Sequence, residues 1–141
     1  KGTFIPESYD SNCVAYTGTH DNDTVVGWFN SQPGVNSTRS ADEVEKERAA
    51  AMSYFGTDGS EINWDFIDTL YSSEAGATLV PLQDILGLGS DSRMNTPGTA
   101  SGSWRWRISK DLRLEPSLTR LKELTYKTSR GLAANKIKTY E

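Results

Sequence analysis

Two short apolar segments, each followed by helical sequence, limit the fold of this chain more than any other feature. They are residues 13–17 and 77–82. The first is apolar on both sides of its pleat, which is typical of a strand covered on both faces, as parallel strands usually are. The order strand, helices, strand, loop, helix predicts two βα units and a mostly helical α/β fold with short parallel strands. Because two strands neither close a barrel nor form a stable sheet alone, we expect the last portion of a larger α/β domain.

Local sequence signals predict where the helices lie. The predicted helical segments are residues 25–29, 40–56, 60–76 and 116–130. Ser40 and Glu43 have the spacing of a capping box, in which the two side chains satisfy free amides at a helix start. Gly56 and Gly131 are typical of the position just after a helix end. No linker or repeat divides residues 1–141, so no domain boundary is expected within them.

Charge and cysteine content narrow the class of partner. The net charge of −4 and the isoelectric point near 5.0 argue against nucleic acid and anionic membranes, since both select for clustered lysine and arginine. No segment approaches about 20 uninterrupted apolar residues, so no membrane span is predicted.

Cys13 is the only cysteine, which excludes a disulfide within the chain and favours a reducing compartment. The chain begins with Lys1 instead of methionine, so we expect a piece of a longer protein.

The one histidine of the chain stands next to two carboxylates after the first predicted strand, in the segment His20-Asp21-Asn22-Asp23. Such polar groups collect where a substrate or ion meets them, and in α/β folds that place is the carboxyl end of a strand. Three roles fit these residue types. His20, Asp21 and Asp23 fit a site for Mg²⁺, Mn²⁺ or iron. Asp21 with His20 fits a site that holds sugar hydroxyls, and either aspartate fits as the N-cap of the next helix.

A long loop after the second predicted strand carries further candidates. Residues 87–102 are rich in glycine, serine and proline, and loops of this length are often functional. Asn95 lies in a turn fixed by Pro97-Gly98, where it fits either a contact with vicinal sugar hydroxyls or a bond to local backbone. Trp104 and Trp106 alternate with arginine, which predicts both indoles on one face of an extended segment. Such a pair fits the core better than a sugar-stacking surface.

Three motifs occur in a fixed order along most of the chain. They are Tyr16-Thr17-Gly18-Thr19-His20-Asp21-Asn22-Asp23-Thr24 with Gly27-Trp28, then Pro81-Leu82-Gln83-Asp84-Ile85-Leu86-Gly87-Leu88-Gly89, then Arg93-Met94-Asn95-Thr96-Pro97-Gly98-Thr99 followed by Trp104-Arg105-Trp106-Arg107. Together they resemble the 4-α-glucanotransferases of glycoside hydrolase family 77, the amylomaltases of bacteria and the disproportionating enzymes of plastids. The resemblance implies a (β/α)₈ TIM barrel. Residues 1–141 would form the C-terminal portion of that single catalytic barrel, about its last two βα units.

The same resemblance implies an activity and a set of site residues. The family transfers an α-1,4-glucan segment to the 4-hydroxyl of another glucan, with retention of configuration. Asp21 resembles the carboxylate that stabilises the oxocarbenium-like transition state, while His20 and Asn95 resemble substrate-binding residues. The expected partners are α-1,4-glucans, namely maltooligosaccharides and starch or glycogen-type chains. No cofactor and no metal are implied, and the bacterial cytoplasm or the plastid stroma is the expected location.

One further partner is implied, the N-terminal part of the same enzyme. In the family the nucleophile and the acid/base lie on earlier barrel strands, upstream of Lys1. We therefore expect the chain alone to be inactive. The rival hypothesis is a non-catalytic glucan-binding or structural remnant of the fold, and recovery of the full gene distinguishes the two.

Overall fold

The computed structural model describes residues 5–34 and 39–131, and within these ranges it contains five helices and two strands. In chain order the elements are β1 (Val14–Tyr16), α1 (Val25–Phe29), α2 (Ala41–Phe55), α3 (Ile62–Ser72), β2 (Ala77–Leu79), α4 (Leu82–Ile85) and α5 (Glu115–Lys127), with 3₁₀ turns at Pro6–Ser8 and Ser90–Ser92. The predicted single unit over residues 1–141 includes ends that lie outside the described residues.

The two strands pair side by side in parallel, as predicted. The register places Val14 opposite Ala77, Ala15 opposite Thr78 and Tyr16 opposite Leu79. Helices α1, α2 and α3 form the connection between the strands, since a parallel pair needs a crossover rather than a tight turn. Both strands therefore end at the same edge of the sheet, and the loops that follow them meet there.

Helix α3 contributes to every buried cluster of the described chain. The clusters are Trp64 and Ile67 with Ile85 and Leu124, then Leu70 with Ala15 and Ala75, then Ile62 with Val25 and Phe29. Ile62, Ile67 and Leu70 follow the helical spacing on which the prediction of this helix rests. The side chain of Ile67 is fully buried. Helix α3 thus connects the sheet, α1 and α5 through apolar side chains around more than half of its circumference.

Helix α2 begins and ends on the residues that the sequence indicates. The Ser40 hydroxyl accepts a hydrogen bond from the amide of Glu43, and the Glu43 carboxylate accepts one from the amide of Ser40 at 2.8 Å, which completes the capping box. Gly56 follows the helix with φ of 68°, a left-handed conformation that glycine adopts without strain. None of the helices described here is both long and apolar enough to cross a membrane.

Three predicted boundaries are wrong. Helix α3 ends at Ser72 rather than at residue 76. The second strand ends at Leu79 rather than at residue 82, and Leu82–Ile85 is helix α4. Pro81 explains the difference, because it has no amide hydrogen for a sheet ladder and its fixed φ suits the residue before a helix. The last helix ends at Lys127 instead of Arg130. The side chain of Arg130 instead donates hydrogen bonds to carbonyl oxygens at the end of α3.

The prediction that the first strand is covered on both faces is also wrong for the described chain. Ala15 is buried against α3, whereas Val14 and Tyr16 are 49% and 48% exposed. Leu79 on β2 is 52% exposed on the same side of the sheet. The helices of the described residues pack on one face of the two-stranded sheet, and within these residues the apolar side chains of the other face are exposed.

Candidate functional site

The loop between β1 and α1 carries the polar segment singled out by the sequence. Thr24 ends this loop as the N-cap of α1, and its hydroxyl oxygen accepts a hydrogen bond from the amide of Gly27 at 3.0 Å. Neither aspartate of the segment is the cap. Gly27 is required here because a Cβ atom at this position would lie 2.6 Å from Asp23 Oδ1 and 2.5 Å from the hydroxyl of Ser90. The start of α1 therefore packs directly on the loop that follows β2.

Asp21 meets both of the other residues that the resemblance assigns to the site. The Asn95 side-chain amide donates a hydrogen bond to Asp21 Oδ1 at 2.5 Å. His20 Nε2 lies 3.4 Å from the same oxygen. The side chains of His20 and Asp21 are 56% and 53% exposed. The second carboxylate oxygen, Asp21 Oδ2, accepts no hydrogen bond from any residue described in the structure.

Arg93 connects the two loops through their backbones. Its Nη2 atom donates to the carbonyl oxygen of Asp21 at 2.8 Å, and its Nε atom donates to the carbonyl oxygen of Asn95 at 2.8 Å. One guanidinium thus fixes the backbone of both residues whose side chains meet. The role of Arg93 was not predicted, although this residue opens the motif that contains Asn95.

Asp84 is a second residue that the sequence analysis left unassigned. It is only 2% exposed, and both its carboxylate oxygens accept hydrogen bonds, from the Thr17 hydroxyl at 2.6 Å and from the Val25 amide at 2.8 Å. The Asn63 side-chain amide donates to the Asp84 carbonyl oxygen at 2.8 Å. Burial raises the pKa of the Asp84 carboxyl above its ordinary value, while the hydrogen bonds from Thr17 and Val25 oppose that shift. Its position just beyond β2 was the available signal, since polar groups at strand ends are candidates for a site.

A concavity of about 630 Å³ opens beside these loops. Its walls come from the ends of both strands and from the two loops, and they include Tyr16, His20, Asp23, Leu79, Asp84, Arg93 and Trp104. Asp21 and Asn95 are not among the lining residues. Asp21 contacts His20 and Arg93, and Asn95 contacts Arg93. Both His20 and Arg93 line the concavity. The structure therefore brings the three predicted site residues together next to the concavity rather than inside it.

Asp23 does not share the environment of Asp21. Its Oδ1 atom accepts a hydrogen bond from the Thr24 amide at 2.8 Å, and its Oδ2 atom accepts one from the Ser90 hydroxyl at 2.7 Å. Both oxygens of Asp23 thus hold the loop to the start of α1 and to Ser90. In the described part of the chain, no three His, Cys, Asp or Glu side chains cluster as a metal site.

Trp104 differs from its predicted position. Its φ is 64°, so residues 104–107 do not form a regular extended segment with both indoles on one face. The Trp104 side chain is 54% exposed, and its ring lies 5.1 Å from the imidazole of His20, centroid to centroid, at an interplanar angle of 34°. Trp106 is partly buried. Trp104 is thus at the candidate site and not in the core.

Known proteins resemble this chain in sequence and in structure. The sequence profile described as 4-alpha-glucanotransferase matches residues 1–113. The 4-alpha-glucanotransferase of Synechocystis is 49% identical over 110 residues, which is 77% of this chain and 20% of the relative. The chloroplastic/amyloplastic 4-alpha-glucanotransferase of Arabidopsis thaliana is 40% identical over 124 residues, 85% of this chain and 20% of the relative.

A solved structure agrees with these relatives. The amylomaltase of Streptococcus agalactiae, in complex with acarbose, superposes with a TM-score of 0.75 and 35% sequence identity. The superposition covers 91% of this chain and 24% of the amylomaltase chain. The chain therefore spans about a fifth of the length of the curated relatives it matches. On this combined match of profile, relatives and structure, the chain belongs to the 4-alpha-glucanotransferase family.

Proposed function

We propose that residues 1–141 are the C-terminal portion of a single (β/α)₈ catalytic barrel, and that the complete enzyme transfers α-1,4-glucan segments to the 4-hydroxyl of another glucan. The relatives that carry the 4-alpha-glucanotransferase name support the activity. The bare apolar face of β1 and β2 supports the barrel, since further strands would cover it. Bacterial and plastid relatives support the bacterial cytoplasm or the plastid stroma as its location.

The observation that carries this proposal is the hydrogen bond from Asn95 to Asp21, because it joins residues from the two βα loops at one carboxylate. Asn95 engages one oxygen of Asp21, which leaves the other oxygen for a substrate hydroxyl. His20 lies beside the same carboxylate and offers a ring nitrogen to the same sugar. Acarbose in the Streptococcus amylomaltase supports an oligosaccharide as the ligand.

In the proposed mechanism, Asp21 stabilises positive charge that develops on the anomeric carbon. A fixed carboxylate accelerates the reaction only if it binds the transition state more tightly than the bound sugar. The bond from Asn95 and the backbone contact from Arg93 fix the carboxylate before the substrate arrives, so it need not reorganise as charge develops. His20 and Asn95 bind the glucan. The nucleophile and the acid/base of the retaining reaction come from the part of the enzyme that precedes this chain.

The test is a disproportionation assay of the complete enzyme on maltotriose, with Asp21→Asn as the variant. An asparagine at position 21 still accepts the hydrogen bond from Asn95 but carries no charge, so kcat is expected to fall about 10²–10³-fold with a smaller change in KM. Asp42→Asn, which removes an exposed carboxylate from α2, is the matched control and is expected to leave kcat unchanged. Equal kcat in Asp21→Asn and the control would contradict the role of Asp21.

The second candidate function is a glucan-binding or structural remnant without chemistry. This candidate rests on the chain's coverage of about a fifth of its relatives' length. Retaining chemistry needs two carboxyl groups about 5–5.5 Å apart. A complete reading frame without the upstream carboxylate pair, coupled with glucan binding and no transfer from maltotriose, would favour the remnant over the enzyme.

A further inference from the structure

We infer that Trp104 is a substrate-binding residue, whose indole forms a stacking surface for a glucose ring of the glucan. This inference rests on the proposed function and adds a contact to it. Three observations support it: the backbone conformation of Trp104, the packing of its ring against His20, and its place in the wall of the concavity.

The backbone of Trp104 adopts a conformation that its side chain disfavours. A φ of 64° is an outlier for a bulky residue, and such strain persists only where surrounding contacts fix it, most often at functional sites. Here the Trp104 amide donates to the carbonyl oxygen of Met94 at 2.6 Å, and Arg107 Nη1 donates to the Trp104 carbonyl oxygen at 3.2 Å. Glycine would adopt this φ without strain. The presence of tryptophan therefore calls for a use of the ring itself.

The ring packs against His20, and Trp104 remains largely exposed. Its contact with His20, at 5.1 Å between ring centroids, orients the imidazole beside Asp21. More than half of the side chain, 54%, is exposed, and Trp104 lines the same concavity as His20 and Arg93. An exposed indole face is electron-rich, and the C–H groups on one face of a pyranose ring are complementary to it. Polar groups beside a flat aromatic surface are the combination that a sugar ring requires.

The experiment compares the complete enzyme with its Trp104→Gly, Trp104→Phe and Trp106→Phe variants. The dissociation constant of acarbose and the KM for maltotriose are measured together with the thermal midpoint. Trp104→Gly is expected to raise both the dissociation constant and KM about tenfold, with kcat less affected. Its thermal midpoint should be unchanged or higher, because glycine relieves the strain at φ 64°. Trp104→Phe keeps an aromatic face and should fall between Trp104→Gly and the unsubstituted enzyme.

Trp106→Phe is the matched control, since Trp106 lies two residues away and does not line the concavity. Its acarbose affinity and its ligand-induced change in tryptophan fluorescence are expected to be retained, whereas Trp104→Phe should reduce that change. A lower thermal midpoint of Trp104→Gly with unchanged acarbose affinity would identify a structural tryptophan and overturn the inference alone. An unsubstituted enzyme that binds neither acarbose nor maltotriose would overturn the proposed function and the inference with it.

Discussion

At the scale of single residues, Asp84 determines the shape of the loop that carries Asp21. Thr17 opens that loop and Val25 follows it, and both donate to the carboxylate of Asp84. Because Asp84 lies in α4, this one side chain ties the first βα loop to the second. A buried carboxylate is tolerated here since each oxygen has a donor. The geometry around Asp21 thus depends on a residue that need not touch substrate.

Replacement of Asp84 by alanine is expected to lower the free energy of unfolding by about 1–3 kcal/mol, because the buried amide of Val25 loses its acceptor. Asp84→Asn should cost less. Its amide oxygen still accepts from Val25, and its amide nitrogen can donate to the Thr17 hydroxyl in place of the present bond. Urea unfolding of the complete enzyme and of the same two variants measures the difference. Equal losses in Asp84→Ala and Asp84→Asn would show that the charge, rather than the hydrogen bonds, stabilises the loop.

The pKa of Asp84 makes the difference in unfolding free energy between the unsubstituted protein and Asp84→Asn depend on pH. In the folded chain, burial raises the pKa of the Asp84 carboxyl above its ordinary value of 3.8. Asp84 therefore binds its proton more tightly in the folded chain than in the unfolded chain. The stabilisation from the protonated form is therefore complete below pH 3.8 and is lost as the pH rises through the raised pKa. Asp84→Asn has no such titration. The unfolding free energy of the unsubstituted chain minus that of Asp84→Asn should accordingly fall as the pH rises through this window.

At the scale of elements, Arg130 secures the end of α3. Its guanidinium donates to the carbonyl oxygens of Tyr71 at 2.7 Å, Ser73 at 2.5 Å and Ala75 at 2.7 Å. The last carbonyls of a helix lack partners within the helix, and a cation at that end also interacts favourably with the helix dipole. The turn from α3 into β2 is thus fixed by a side chain that follows α5.

Arg130→Ala is expected to lower the free energy of unfolding by about 1–3 kcal/mol, because partly buried carbonyl groups lose a charged donor. Arg130→Lys should recover only part of this loss. A lysine ammonium carries the same charge but lacks the planar fork that reaches three acceptors at once. Urea unfolding measures both variants. Arg113→Ala removes an exposed arginine and should change stability by no more than about 0.5 kcal/mol. A full recovery by lysine would assign the stabilisation to charge alone.

Elements with local signals were predictable, and those fixed by distant contacts were not. The capping box at Ser40 and the left-handed Gly56 lie within a few residues of the helix ends they define, so the sequence pattern was sufficient. The parallel pairing followed from the order of strands and helices. Arg130 and Trp104 are different, because their positions depend on carbonyl groups and a ring from other segments. The role of Arg130 and the conformation of Trp104 therefore required the structure.

The candidate site likewise has a part that the sequence predicts and a part that only the structure reveals. The segment that contains His20 and Asp21 was predicted from its residue types and its place at the end of a strand. Its hydrogen bond to Asn95 follows from the parallel pairing, which brings the loops after the two strands to the same edge of the sheet. The position of Asp84 just beyond β2 was a signal, but its contacts with Thr17 and Val25 and the contact of Arg93 with Asp21 required the structure, because these partners are distant in sequence. Residue type predicts chemistry, whereas the positioning of that chemistry is a tertiary property.

At the scale of the whole molecule, one face of the two-stranded sheet is exposed among the residues that the structure describes. Val14, Tyr16 and Leu79 project from the face of the sheet opposite to the helices, and about half of each side chain is exposed. Two short strands are too few for a stable sheet, and a barrel closes by adding strands at its edges. This face and the concavity beside it fit the proposal that the chain completes its site only together with the preceding part of the enzyme.

The final prediction is that the isolated 141-residue chain releases no glucose from maltotriose, whereas the complete enzyme does. The reason lies in the carboxylates around the concavity. Both oxygens of Asp23 and both oxygens of Asp84 accept hydrogen bonds from within the chain. Asp21 alone of these three keeps an oxygen with no partner among the described residues. Retaining transfer needs a nucleophile and a separate acid/base, so one available carboxylate stabilises charge but breaks no bond.

The assay follows glucose and maltooligosaccharides from maltotriose over the same interval for equal molar amounts of both proteins. Adding the Asp21→Asn form of the isolated chain separates its own chemistry from contamination. Turnover by the isolated chain that disappears in this variant would contradict the prediction, since the chain would then supply its own second carboxylate. Turnover that is equal in both forms would come from a contaminant, because Asp21 is the one carboxylate of the three with an oxygen left to meet the substrate. No product from either form, with transfer by the complete enzyme, is the expected result.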